Sequence, residues 1–279
     1  MSESSVRSTK GTTIRQHVFV VSTGRTGSLA LAQYLDAAFE GVTAVHEPKP
    51  SRFLRIAANA HLAGKISDET ATRLFLRARQ HVWSESHDPI FVESNPFLVG
   101  LLDVFGQACL DPRVIHVVRD PRTWVRSVLN FGSRRGIKRI AARVVPYWVV
   151  KPEQLTFAPQ RPYRKMTHVE WLSWYWQLAN QHLRRGSELY GDDYLLVRYE
   201  ELFRKGGDGI RTLARWIGLS EREDQLDPLL KIPVNTSRSD TVPHWPAWSD
   251  KDRNVLLKHC GELMEELGFD TEEPPCISS

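Results

Sequence analysis

Seven residues, Ser22-Thr23-Gly24-Arg25-Thr26-Gly27-Ser28, bring together two glycines, four hydroxyls and one guanidinium. They follow the apolar run His17 to Thr23 and precede a helical pattern. A strand-to-helix turn of this kind aims backbone N–H groups and the positive end of a helix dipole at one point, which suits a phosphate or sulfate. Thr23, Thr26 and Ser28 add hydroxyl donors, and Arg25 adds a planar, always-charged fork. The nucleotide pattern G-x-x-x-x-G-K-[ST] is missing, because Gly24 and Gly27 lie too close together and no lysine precedes Ser28. G-x-G-x-x-G is missing as well, so nucleotide hydrolysis and NAD binding are both unsupported. A turn that needs glycine for geometry alone is the plain alternative. A second set lies in "HVVRDPRTWVRSVLNF", where Arg119 ends a strand run and Ser127 follows eight positions later. Asp120 and Pro121 read there as an N-cap and first helical residue, so Arg-Asp-Pro is open to a capping role or an anion contact.

The elements that must position these residues follow from period and punctuation. Strands are expected at His17–Thr23, Val42–Pro48, Pro89–Pro96, Arg113–Pro121 and Asp193–Leu202. Helices are expected at Ser28–Phe39, Phe53–Ala63, Asp68–Trp83, Arg122–Phe131, Thr167–Arg185, Ile210–Ile217 and Lys251–Leu267. Strands alternating with helices imply a single α/β domain with a mostly parallel central sheet and helices on both faces. Ligands bind such sheets beyond the carboxyl ends of the strands. That draws attention to Ser22–Ser28, His46–Pro48, Glu93–Asn95, Arg119–Asp120 and Arg198–Glu200.

The two motifs, in this order on successive strand-to-helix junctions, resemble the sulfotransferase superfamily that uses 3′-phosphoadenosine 5′-phosphosulfate (PAPS). The resemblance implies a P-loop-like fold and transfer of a sulfuryl group to an acceptor hydroxyl, leaving adenosine 3′,5′-bisphosphate. It makes Arg25, Thr26, Gly27, Ser28 and Leu29 the 5′-phosphosulfate site and Arg119 with Ser127 the 3′-phosphate site. "LVRYEELF" is similar to the family's Arg-Tyr-Glu-Asp-Leu segment, which puts Tyr199 near the adenine. "VNTSRSDTVPHWPAWSD" is similar to the C-terminal region that folds over the cofactor, and adds Arg238 to the 3′-phosphate site. The likeness spans His17 to Phe269. The lysine and Lys-Thr-His stretch of phenol and steroid sulfotransferases are absent, whereas "GRTGS" with Glu47-Pro48 is closer to carbohydrate 6-O-sulfotransferases and bacterial members. The expected acceptor is therefore a carbohydrate, lipid or small metabolite.

Arg25 stands where charge grows on the leaving oxygen, and a carboxylate should accept the acceptor's proton. Glu47 is the first choice for that base by position and by resemblance, and Glu93 is the rival; Glu47 orienting His46 or pairing with an arginine is the alternative. No metal is expected, since no H-x-x-x-H or clustered Cys/His ligands occur. His116, in an apolar run, reads as a buried structural histidine, and the stripe in "WLSWYW" as core.

Composition bounds the remainder. The 279 residues carry 41% hydrophobic and 25% charged side chains, as a globular chain does. Residues 1–13 read as a flexible N-terminus without an apolar segment, 14–270 as the domain and 271–279 as a tail. No run suits a membrane helix, so a cytoplasmic location is expected. Cys109, Cys260 and Cys276 read as reduced thiols. Net charge is +4, yet residues 132–165 hold nine cations against Glu153 alone. That segment reads either as a solvated loop or as a basic, lid-like insertion over an anionic or lipid-like acceptor or a membrane surface. Nucleic acid is not expected as a partner, and a homodimer is left open. Two other readings compete: a small-molecule kinase of related fold, and a basic binding module for anionic polymers or membranes.

Overall fold

A computed structural model describes residues 14–132, 144–155, 161–232 and 240–272. Five strands, β1 (Gln16–Ser22), β2 (Val42–His46), β3 (Ile90–Ser94), β4 (Arg113–Val118) and β5 (Tyr194–Arg198), form one sheet in the order β2-β3-β1-β4-β5. Every pairing is parallel, so the sheet expected to be mostly parallel is parallel throughout. The helices are α1 (Ser28–Ala38), α2 (Ser51–Leu62), α3 (Asp68–Ser84), α4 (Phe105–Ala108), α5 (Pro121–Gly132), α6 (His168–Arg184), α7 (Gly186–Tyr190), α8 (Tyr199–Leu202), α9 (Asp208–Ile217), α10 (Leu226–Leu230) and α11 (Asp250–Glu266). Among the described residues no helix is long and apolar enough to cross a membrane.

Side-chain alternation along β1 explains the two covered faces. Val18 and Val20 point into a core with Leu31, Leu35, Leu213 and Ile217 of α1 and α9. Phe19 and Val21 point the other way, among Leu54, Phe75, Leu102 and Phe105. Phe19 stacks on Phe105 with centroids 4.1 Å apart. A third cluster joins Trp124, Trp176, Trp245, Leu256 and Met264 beyond β4. The 3₁₀ segment Pro96–Val104 is apolar without a clear period, which is why no helix was expected there. It packs so closely on α2 that a Cβ on Gly100 would stand 2.0 Å from the Ala58 carbonyl oxygen.

Strands read to Pro48, Pro96 and Pro121 end at His46, Ser94 and Val118, and the largest correction is to the fifth. The strand read through Leu202 ends at Arg198, which pairs with Val118, the last residue of β4. Beyond it the neighbouring chain turns into α5 and offers no further edge, so Tyr199–Leu202 coils into α8.

Candidate functional site

Register places the site. Ser22 is level with Val117 and Val20 with Ser94, while His46 is also level with Ser94 and Val118 with Arg198. The turn after β1, Glu47 after β2, Asn95 after β3, Arg119 after β4 and Tyr199 after β5 therefore line one edge of the sheet. This is the carboxyl edge at which doubly wound sheets bind ligands.

The turn after β1 is built from left-handed backbone: Gly24, Arg25 and Gly27 have φ of 78°, 56° and 69°. Gly27 is favoured on a second count, because a Cβ there would lie 2.4 Å from the Phe203 ring, which would have to move. Ser22 Oγ accepts from the Gly24 amide at 3.1 Å and from Thr26 Oγ1 at 2.8 Å. Thr26 is thus buried with its hydroxyl turned into the turn, and Trp124 Nε1 clamps the Gly24 carbonyl from α5 at 2.7 Å. The first helical hydrogen bond of α1 runs from the Leu31 amide to the Gly27 carbonyl, so the amides before it lack intrahelical acceptors.

Two arginines meet at that helix start. Arg25, Gly27, Ser28, Leu29, Ala30, Arg119 and Tyr199 line one pocket. Arg119 Nη1 donates to the Arg25 carbonyl at 2.8 Å, its Nε donates to Thr123 Oγ1 at 3.1 Å, and its guanidinium lies 4.4 Å from the Tyr199 ring centre. Arg25 Nε donates to Ser127 Oγ at 3.2 Å, and its guanidinium covers Phe131. Burial, then the Arg119 charge, lowers the pKa of Arg25; burial also lowers that of Arg119. Among the described residues no carboxylate lies within ion-pair distance of Arg119. Two cations held together in this way favour an anion between them. The neighbouring Asp120 takes the capping role instead, accepting the Arg122 amide at 2.8 Å and pairing with the Arg122 guanidinium at 2.7 Å.

The two candidate carboxylates separate cleanly. Glu47 has a left-handed backbone, φ 46°, and a side chain 35% exposed. His46 Nδ1 donates to the Ser94 carbonyl at 2.9 Å, so its ring is fixed without Glu47, whose Oε1 lies 3.4 Å from His46 Nε2. Glu93 is 0% exposed and is gripped by an equally buried Arg79 at 2.6 and 2.7 Å, with Asn95 Nδ2 donating at 2.8 Å. Its carboxylate is closed to solvent and committed to Arg79, which argues against Glu93 as the rival base. Its network has another use: Asn95 also donates to Ser51 Oγ, and Ser51 donates to the Pro48 carbonyl, bracing the turn that carries Glu47.

The sulfotransferase-domain profile matches residues 15–233, more than half of the chain. The chain belongs to the sulfotransferase-domain family. A sulfotransferase from Alicyclobacillus acidocaldarius superposes with a TM-score of 0.53 at 13% identity, over 92% of this chain and 97% of that one. A sulfotransferase domain from the curacin biosynthetic pathway gives a TM-score of 0.51 at 13% identity, over 92% of this chain and 98% of the other. At such identities they establish the shared P-loop-like fold. No curated protein sequence matches the chain.

In this sulfotransferase the sheet edge gathers Arg25, Gly27, Ser28, Leu29, Arg119, Ser127 and Tyr199, whereas Arg238 lies outside the described residues. So does the first part of the basic insertion, including Arg134, Arg135, Lys138, Arg139 and Arg143. Its later part is docked: Asn59 of α2 donates to the Tyr147 carbonyl at 2.8 Å, and Trp171 of α6 donates to the Val150 carbonyl at 3.1 Å. His116 is buried between Tyr194 and Asn180 at 2.9 Å each, as a structural histidine. Cys109 and Cys260 are buried and free; Cys276 lies outside the described residues. Among the described residues no cluster of His, Cys, Asp and Glu is arranged for a metal. The sequence reading missed Trp124 and Trp176, whose ring N–H groups hold the carbonyls of Gly24 and Arg119. Glu200, in the Arg198–Glu200 stretch already singled out, accepts the Asp120 amide at 3.1 Å. Trp124 lies within the second motif, whereas Trp176 belongs to the aromatic stretch read as core.

Proposed function

We propose that this sulfotransferase moves a sulfuryl group from PAPS to a hydroxyl of a carbohydrate, lipid or small-metabolite acceptor. One observation carries the reading: Arg25 and Arg119 line a single pocket at the unsatisfied N-terminus of α1, a place that favours a doubly anionic ligand. In this reading the residues 25–29 hold the 5′-phosphosulfate, Arg119 and Ser127 the 3′-phosphate, and Tyr199 flanks the adenine, with Arg238 assigned to the same phosphate. A charge-assisted contact from Arg119 contributes about 1.5–3 kcal/mol. Arg25 stabilises the negative charge that develops on the leaving oxygen. Glu47, half-buried just after β2, accepts the acceptor's proton as the hydroxyl attacks sulfur. Its left-handed backbone fits the tendency of strained residues to sit where function needs them.

The test is transfer of labelled sulfuryl from PAPS to a panel of hydroxyl compounds. Glu47→Gln keeps the size of the side chain and should lower turnover by roughly 10²–10⁴-fold while leaving adenosine 3′,5′-bisphosphate affinity intact. Near-normal turnover of Glu47→Gln would remove Glu47 from the chemistry, and transfer of phosphoryl from ATP in place of sulfuryl would overturn the donor assignment.

A further inference from the structure

Beside the donor turn stands a cation that forms no ion pair among the described residues. Arg55, half-buried on α2, has its guanidinium 5.0 Å from the Phe97 ring centre and 4.9 Å from that of Trp148. Among the described residues it has neither an ion pair within 4.0 Å nor a hydrogen bond. Ring contacts engage the faces of a guanidinium and leave its in-plane N–H donors uncommitted. Tyr175 of α6 is within electrostatic reach of Arg55, and its hydroxyl likewise has no hydrogen-bond partner among the described residues. A half-buried guanidinium and phenol near one another, with donors uncommitted to the protein, are available to a ligand that supplies acceptors.

Contacts fix where this pair lies. Tyr175 packs 6.4 Å, centre to centre, from Trp124, whose ring nitrogen holds the Gly24 carbonyl. Pro96, next to Phe97, is the nearest neighbour of Gly24 on the other side, 3.5 Å from where a Cβ would be. Glu47 is close enough to raise the pKa of Arg55, against the larger lowering by burial, yet lies beyond ion-pair distance. The pair therefore borders both the donor turn and the proposed base. Trp171, stacked 5.7 Å from Tyr175, extends an apolar wall away from it.

We propose that Arg55 and Tyr175 form a subsite for an oxyanion carried by the acceptor, a carboxylate, sulfate or phosphate a few bonds from the hydroxyl that is sulfated. The proposal rests on the sulfuryl-transfer reading above and names its acceptor class. An anionic acceptor must approach a sulfated donor and the Glu47 carboxylate, both negative, and Arg55 offsets that repulsion at the point of approach. Guanidinium and phenol together supply the forked and single donors that oxyanions accept. Arg55 and Tyr175 bind and orient in this scheme; the proton still passes to Glu47.

The experiment uses the full chain, labelled PAPS and hydroxyl compounds in matched pairs: hydroxy acids and uronates against their amides, and sugar phosphates and sugar sulfates against the parent sugars. The charged member of a pair should be used with the lower KM. Arg55→Met should raise KM for the charged members roughly 10- to 100-fold, change kcat little, and leave the uncharged members nearly unaffected. Arg55→Lys should recover part of that loss, and Tyr175→Phe should cause a smaller one. Where turnover is too slow to measure, the same preference should appear in binding to protein saturated with adenosine 3′,5′-bisphosphate, read by calorimetry. Equal use or binding of both members, or equal loss of both in Arg55→Met, overturns the subsite. If adenosine 3′,5′-bisphosphate does not bind at all, the sulfuryl-transfer reading has failed and the subsite falls with it; normal nucleotide binding without charge preference refutes the subsite alone.

Discussion

Replacing Glu93 by glutamine tests whether this carboxylate holds the fold or takes part in chemistry. Both Glu93 and Arg79 are 0% exposed, and they share two hydrogen bonds of 2.6 and 2.7 Å. Glutamine keeps the shape but turns an N–H donor toward a guanidinium donor and leaves the Arg79 charge uncompensated in the core. Breaking one side of a buried pair costs about 3–5 kcal/mol. For a chain of this size each kcal/mol moves Tm by roughly 2–4 °C, so a fall of about 6–20 °C is expected. Urea unfolding should show a lower midpoint with an unchanged slope. The double variant Arg79→Met/Glu93→Leu, which removes both charges, should recover at least half of the loss. Because the Glu93 side chain reaches the Glu47 turn through Asn95 and Ser51 rather than by direct contact, turnover of the folded single variant should stay within about tenfold of the parent. Parental stability together with a loss beyond about 100-fold in turnover would refute this reasoning and restore Glu93 as the base.

Three more outcomes follow from the same structure. Glu47→Gly removes left-handed strain worth about 1–2 kcal/mol against a backbone-entropy cost of about 0.5–1, so Tm should hold or rise while turnover collapses; a clear drop in Tm would contradict this. His116 is buried with its pKa lowered to about 4 by desolvation, so its contribution is complete above the unfolded value of 6.5 and is lost as pH falls toward 4. That loss is on the order of 3 kcal/mol, and unfolding measured at pH 7.5 and pH 5 should show a slope that His116→Gln flattens; an equal slope in both proteins would contradict it. Glu200 has its pKa raised by burial and one carboxylate oxygen without a partner among the described residues, so its charge destabilises the fold increasingly above pH 4.5; Glu200→Gln should stabilise at pH 8 and be neutral near pH 4, and the reverse dependence would count against it.

The sheet was legible because its signals are local. β1 and β4 are uninterrupted apolar runs, and Gly24, Gly27, Asp120 and Pro121 punctuate the turns that follow them. The donor turn could be read from residue type, since few side chains other than glycine tolerate the backbone at Gly27. What stayed illegible depends on partners distant in sequence. Glu93 looks as suitable a base as Glu47 until Arg79, fourteen positions earlier, is seen to close on it. Arg55 is one more cation on an amphipathic helix until Trp148, from a segment read as a solvated loop or lid, is found against it. The strand read as far as Leu202 stopped at Arg198 because its neighbour turned away, and no residue within the strand encodes that.

The central claim is that the turn after β1 and the end of β4 form one bisphosphate-nucleotide site. Titration calorimetry of adenosine 3′,5′-bisphosphate and of ADP, both with chelator present, tests it most directly, on the parent protein and on Arg119→Met. The account predicts that the 3′,5′-bisphosphate binds the parent roughly 10- to 100-fold more tightly than ADP, and that Arg119→Met removes most of this preference while changing ADP affinity much less. Equal affinity of the parent for the two nucleotides, or an Arg119→Met variant that keeps the preference, would contradict it.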